Sequence, residues 1–142
     1  MSPTEQVPPH PGPKVNGILE SALYVDDPER SAEFYQRIFG FESVFSIDRL
    51  IAMHVPGPQL LLLFKKGASK DLPDTPHDGD GQLHLAFSIA ISELDRWKAW
   101  LGENGIAIEE EKKWDRGGTS LYFRDPDGHS LEVATPGVWT VY

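Results

Sequence analysis

The order of structural signals in this chain runs twice, and that constrains the fold more than any single motif. Ile18–Val25 is a short apolar run suited to a strand. Asp27 then stands as an N-cap, with Pro28 at the first helical position. Glu29–Phe39 carries Phe34 and Ile38 on one face and mostly polar residues on the other, and Gly40 ends it as a left-handed cap. Three strand candidates follow, Phe41–Ile47, Leu50–Val55 and Leu60–Phe64, the last two separated by Pro56-Gly57-Pro58. After a polar connector over 66–81 the series starts again. Leu83–Ile89 reads as a strand, and Ser92-Glu93-Leu94-Asp95 as a capping box opening a helix through Leu101. Ile106–Lys113, Thr119–Arg124 and Ser130–Thr135 read as strands, with a strong turn signal at Asp125-Pro126-Asp127-Gly128.

The spacing therefore predicts an α+β fold of two βαβββ modules, at about 18–65 and 83–135. The halves share little identity. The argument rests on matching order and span, Glu20 to Gly40 in one and His84 to Gly105 in the other. Two copies are too few for a solenoid, so they must pack on each other. At 142 residues and 15.9 kDa the chain has the size of one domain. Prolines at 3, 8, 9, 11 and 13 make residues 1–16 a flexible arm. The folded domain is expected over 17–137, with 138–142 as a tail.

Charge and cysteine content narrow the chemistry. A net charge of −9 repels phosphate backbones, so nucleic acid is not an expected partner. With no cysteine, thiolate metal sites, disulfides and a thiol nucleophile are excluded. Neither a signal-peptide pattern nor an apolar run long enough for a membrane span is present, so the expectation is a cytoplasmic protein with no membrane partner.

Strand parity shows where chemistry can sit. In the first strand Leu19, Leu23 and Val25 share one face, and Glu20, Ala22 and Tyr24 the other. In the fifth, Leu83, Leu85 and Phe87 oppose His84, Ala86 and Ser88. In the last, Leu131 and Val133 oppose Ser130, Glu132 and Ala134. Each has one bulky face and one face carrying a single ligand-type side chain among mainly small neighbours. Taken singly, a strand Glu is usually solvated and a strand His usually a satisfied half-buried residue. Together, Glu20, His84 and Glu132 supply two carboxylates and one imidazole, a plausible set for one divalent cation such as Mn, Fe, Ni, Co, Zn or Mg.

These stretches resemble a known family. Glu20 through Tyr35, reading ESALYVDDPERSAEFY, is similar to the first strand and helix of the vicinal oxygen chelate superfamily, the glyoxalase/bleomycin-resistance/dioxygenase group. Ser120 through Glu132, reading SLYFRDPDGHSLE, is similar to its terminal hairpin. The resemblance covers about 18–137. It implies paired modules forming a curved mixed sheet around a cleft, with helices outside, and a metal that chelates two adjacent oxygens of a small substrate. Glu20, His84 and Glu132 fall on its ligand positions. A fourth ligand of glyoxalase-type members is replaced here by Leu62.

Around that cleft, the parity of the seventh strand puts Ser120, Tyr122 and Arg124 on one face. Tyr122 is a candidate hydrogen-bond donor or acid and Arg124 a candidate anchor for substrate, or else a brace for the 125–128 turn. Ser120 and Trp114 are further substrate-binding candidates, and His54 a candidate base. His129, at a turn exit, reads as solvated. Two functions stay open. One is a metal-dependent enzyme with lyase, isomerase or ring-cleaving dioxygenase chemistry. The other is a metal-free protein that sequesters an antibiotic. The family implies a homodimer, and the 66–81 connector is long enough for modules to be exchanged between chains.

Overall fold

The computed structural model describes residues 8–142, so the first seven residues of the expected arm lie outside the described residues. Residues 8–17 join no helix or strand. The first module comprises β1 (Glu20–Val25), α1 (Pro28–Phe39), β2 (Glu42–Ile47), β3 (Leu50–Val55) and β4 (Gln59–Lys65). The second comprises β5 (His84–Ser88), α2 (Leu94–Glu103), β6 (Glu110–Lys113), β7 (Thr119–Arg124) and β8 (Ser130–Ala134). Each module makes one four-stranded mixed sheet with the same topology, β1-β4-β3-β2 and β5-β8-β7-β6. In each, the first and last strands pair in parallel and the remaining neighbours are antiparallel.

Local chemistry fixes the helix ends unequally. Asp27 caps α1 as expected, its Oδ1 accepting from the Glu29 and Arg30 amides, and Gly40 closes it at φ 73°. The capping box of α2 does not form. A 3-10 turn over Ile91–Glu93 leads into the helix, and Glu93 instead accepts from Arg96 at 3.0 Å. Ile18 and Leu19 stand exposed ahead of β1, and the stretch from Ile106 runs irregularly until Glu110.

The arrangement of layers corrects one expectation. α1 does not lie outside: its apolar face packs between the two sheets, with Glu29, Arg30, Glu33, Gln36 and Arg37 left exposed, whereas α2 is mostly exposed and buries only Leu101 fully. Phe39 of α1 sits 4.7 Å from Phe87 of β5, 5.3 Å from Trp97 of α2 and 6.0 Å from Phe123 of β7, centroid to centroid. The Trp100 indole of α2 donates to the Ile38 carbonyl of α1 at 2.9 Å. The bulky parities of both sheets, Leu23, Met53 and Leu63 from the first and Leu121, Leu131 and Val133 from the second, belong to one continuous core. Burying one apolar face of each sheet in a single core stabilises the pair of modules as a unit, and it turns the opposite faces, which carry Glu20 and Glu132, outward and away from each other.

The connector is structured rather than free. Ser69 is buried, its carbonyl accepts from His77 N at 3.2 Å, and its hydroxyl accepts from Arg49 Nη1 at 3.1 Å. Gly79 lies against the Tyr24 ring so closely that no Cβ fits. The C-terminal residues also fold back, the Tyr142 hydroxyl reaching the Ala134 carbonyl at 2.8 Å.

Candidate metal centre

On the outward face of the second sheet, β8 presents Glu132 between Ala86 of β5 and Tyr122 of β7. The carboxylate is buried, and both its oxygens are engaged. Oε2 accepts from the Ser120 hydroxyl at 2.5 Å, and that same Oγ accepts from the Trp114 indole N–H at 2.9 Å. In the chain Trp114–Ser120–Glu132 the serine oxygen accepts from the indole and donates its proton to the carboxylate. The Lys112 ammonium sits 4.2 Å from the Trp114 ring centroid and covers its outer face.

Oε1 faces His84. The imidazole Nδ1 lies 2.9 Å from the Ser130 carbonyl, which can only accept, so Nδ1 carries the proton. In the neutral ring Nε2 then holds a lone pair, and it stands 3.3 Å from Glu132 Oε1. A lone pair and a carboxylate oxygen at that distance repel unless a positive charge, a proton or a cation, lies between them. A backbone carbonyl fixing one ring nitrogen so that the other is free is also how metal-bound histidines are oriented. The donor set fits a divalent cation.

Tyr122 completes this face, its ring stacked on His84 at 6.4 Å with an interplanar angle of 26°. Its phenol pKa is raised by burial first and then by the Glu132 and Glu110 carboxylates. It is therefore a hydrogen-bond donor at neutral pH and not a base.

Glu20 is elsewhere. It lies exposed on β1, beside Leu60 of β4, on the outward face of the first sheet. Leu62, at the fourth-ligand position, lies on the floor of a cavity of about 360 Å³ that Glu20 also lines. With Glu20 and Glu132 on faces that point apart, no group of three His, Cys, Asp or Glu converges among the described residues. One chain thus brings His84 and Glu132 together and leaves Glu20 apart.

The other candidates divide as follows. Arg124 donates to Glu109 at 2.9 Å and to the Gly128 carbonyl at 2.9 Å, bracing the turn. His54 is exposed at the end of β3, its Nε2 donating to the Gly57 carbonyl at 2.8 Å. His129 corrects the sequence reading outright: it is fully buried, Nδ1 accepting from Leu83 N at 2.9 Å and Nε2 donating to the Tyr24 carbonyl at 2.9 Å. It joins the two modules.

Sequence reasoning missed Arg49, Tyr24 and His77. The Tyr24 hydroxyl and His77 Nδ1 are 2.7 Å apart, and His77 sits edge-on to Phe64 at 4.5 Å. Tyr24 shares Glu20's parity, which was the available signal. His77 comes from a connector with no periodicity to place it.

Comparison with known proteins agrees with this architecture. Residues 17–133 match the Glyoxalase/Bleomycin resistance protein/Dioxygenase superfamily. Metallothiol transferase FosB of Staphylococcus saprophyticus is 33% identical over 122 residues, which is 85% of this chain and 78% of that protein. A FosB of Staphylococcus epidermidis is 42% identical over 123 residues, 86% of this chain and 83% of that one. The crystal structure of lactoylglutathione lyase from Agrobacterium tumefaciens superposes with a TM-score of 0.83 at 34% identity, covering 89% of this chain and 98% of the other. By its matched span, its doubled βαβββ topology and these relatives, the chain belongs to the glyoxalase/bleomycin resistance protein/dioxygenase superfamily.

Proposed function

We propose that this protein is a divalent-metal-dependent enzyme acting on a small substrate through two adjacent oxygens, by lyase, isomerase or group-transfer chemistry. The observation that carries the reading is the His84–Glu132 pair, with Nε2 facing Oε1 at 3.3 Å, Nδ1 tied to Ser130 and the carboxylate held by Ser120. A metallothiol transferase and a lactoylglutathione lyase among its relatives support a metal enzyme and leave the reaction to be measured.

His84 and Glu132 hold the cation from one chain, and Glu20 of a second copy supplies the third ligand. The opposed faces support this homodimer, in which the first sheet of one chain would meet the second sheet of the other. It also accounts for β2, whose six residues are all exposed although Val44 and Phe45 are apolar. A bound cation would supply Lewis-acid polarisation of the chelated oxygens. Trp114 and Ser120 orient Glu132, and Tyr122, kept protonated, donates to a substrate oxygen or leaving group. No helix among the described residues is long and apolar enough to cross a membrane, and we place the enzyme in the cytoplasm.

The test is complementation. Glu20→Gln and His84→Ala proteins each lose bound manganese when dialysed and assayed by metal analysis. Unfolded together and refolded as a mixture, they regain ~25% of wild-type sites, because half the dimers are mixed and each mixed dimer keeps one intact pair of faces. No recovery in the mixture refutes the shared site. Wild-type protein that takes up no metal, and is stabilised instead by a bulky cationic drug, establishes the metal-free binding function in its place.

A further inference from the structure

The cavity on the outward face of the first sheet has two chemically different ends. Its floor is apolar, built from Leu50, Ala52, Leu62 and Phe64, all buried within the sheet's second hydrophobic cluster. Glu20 lines one end. Arg49 lines the other, half-buried, with its guanidinium carbon 6.0 Å from the Phe64 ring centroid and its Nη1 on Ser69. His77, edge-on to the same ring, and Thr75 stand beside it. Among the described residues no carboxylate lies within ion-pair distance of Arg49, although the chain has 22 acidic residues to 13 basic. A partly desolvated guanidinium facing an apolar cavity, in so acidic a protein, is a site for an external anion.

The register gives the length. Glu20 pairs with Leu60, and Leu50, next to Arg49, pairs with Phe64. From Leu60 to Phe64 along β4 is about 13 Å at the rise of a strand.

We infer that the substrate is an amphipathic anion with three parts. A chelating head sits at the Glu20 end, an apolar chain or ring lies over the leucine floor, and a terminal carboxylate or phosphate is bound by Arg49. This rests on the proposed metal centre for its head and on Arg49 alone for its tail. Arg49 is then a specificity-determining residue, selecting for the charge at the far end of the ligand. Its aliphatic stem keeps the cavity wall apolar while the fork meets two anion oxygens.

The experiment titrates full-length protein, as purified and again after EDTA treatment, with octanoate, octyl phosphate, 1-octanol and octylamine in a calorimeter. Octanoate or octyl phosphate is expected to bind at least tenfold more tightly than 1-octanol, and the tighter of the two names the tail. Arg49→Met removes that preference while still binding 1-octanol, which also shows the variant is folded. Equal affinities for the anions and 1-octanol in the wild type, a preference retained by Arg49→Met, or tighter binding of octylamine overturns the inference. Manganese uptake is measured on the same samples. Uptake without the anion preference overturns the anion site alone. The preference without uptake overturns the metal centre and leaves the anion site standing.

Discussion

The Tyr35 hydroxyl donates to Asp125 Oδ2 at 2.7 Å across the seam between the modules, from the middle of α1 to the turn after β7. Both side chains are buried. Asp125 Oδ1 meanwhile accepts from the Asp127 and His129 amides at 3.0 and 2.9 Å, so one carboxylate shapes the turn and locks it to the other module. Burial, and then the Asp125 charge, drive the Tyr35 phenol far above its usual range. The raised folded-state pKa makes this contribution to stability complete below the unfolded phenol value of about 10 and progressively lost above it, because only the unfolded chain can release the proton there. Urea denaturation should show stability falling from about pH 9.5 upward, with a shallower fall in Tyr35→Phe. The same variant should lose about 1.5–3 kcal/mol at pH 7, the worth of a hydrogen bond to a buried carboxylate. Identical alkaline slopes for both proteins would remove Tyr35 as the cause.

His129 is the second fastener: its Nε2 reaches Tyr24 across the seam, and its Nδ1 holds the Leu83 amide at the start of its own module. Replacement by Ala leaves the Leu83 amide and the Tyr24 carbonyl without partners and opens a void. The expected loss is about 3–5 kcal/mol, from two unsatisfied groups and a cavity. His129→Gln keeps a donor and an acceptor and should recover part of it. Urea midpoints for the three proteins decide the matter; a His129→Ala protein within about 1 kcal/mol of wild type would place the imidazole in solvent instead.

Strand parity made the face each residue of the second module occupies legible from the sequence. His84, Glu132, Ser120 and Tyr122 all lie on the face that alternation assigns them. The sequence also marks the start of α1 well, because Asp27 and Pro28 act locally. What it left open is global. Parity says that Glu20 and Glu132 both avoid the apolar faces of their sheets, and not that those faces share one core. Phe39 is the residue that decides this, since it touches β5, β7 and α2 together. His129 was misread for a related reason: after a DPDG turn its neighbours in sequence are polar, and its partners, Leu83 and Tyr24, lie far away along the chain. Arg49 carried no signal either, its meaning residing in the apolar cavity around it.

The approach of Gly118 to Gly137 ties the β6–β7 turn to the C-terminal segment. A Cβ on Gly118 would stand 2.6 Å from the Gly137 carbonyl carbon, and both partners are backbone that cannot rotate away. Gly118→Ala should therefore cost about 1–3 kcal/mol, as overpacking does. It should also reach the site, because the Gly118 carbonyl accepts from the Trp114 amide at 2.8 Å and Trp114 holds Ser120. Weakened manganese binding along with lowered stability is the expected pair of effects. Lowered stability with unaltered metal affinity would show that Trp114 keeps its place without the turn.

Ser120 offers the sharpest separation between holding the fold and holding the cation. Its hydroxyl is buried, accepts from Trp114 and donates to Glu132, so it fixes the rotamer of the carboxylate that faces His84. Ser120→Ala leaves Oε2 without its donor, and the unbonded carboxylate is less ordered. Removing such a supporting partner typically weakens metal affinity about 10–100-fold. Trp114→Phe keeps the serine–carboxylate bond and removes only the indole donor, so its effect should be smaller. Manganese titrations followed by electron paramagnetic resonance give both numbers. The order Ser120→Ala, then Trp114→Phe, then wild type in rising affinity is required if the relay positions the ligand. Equal affinities in all three would reduce Ser120 and Trp114 to packing residues.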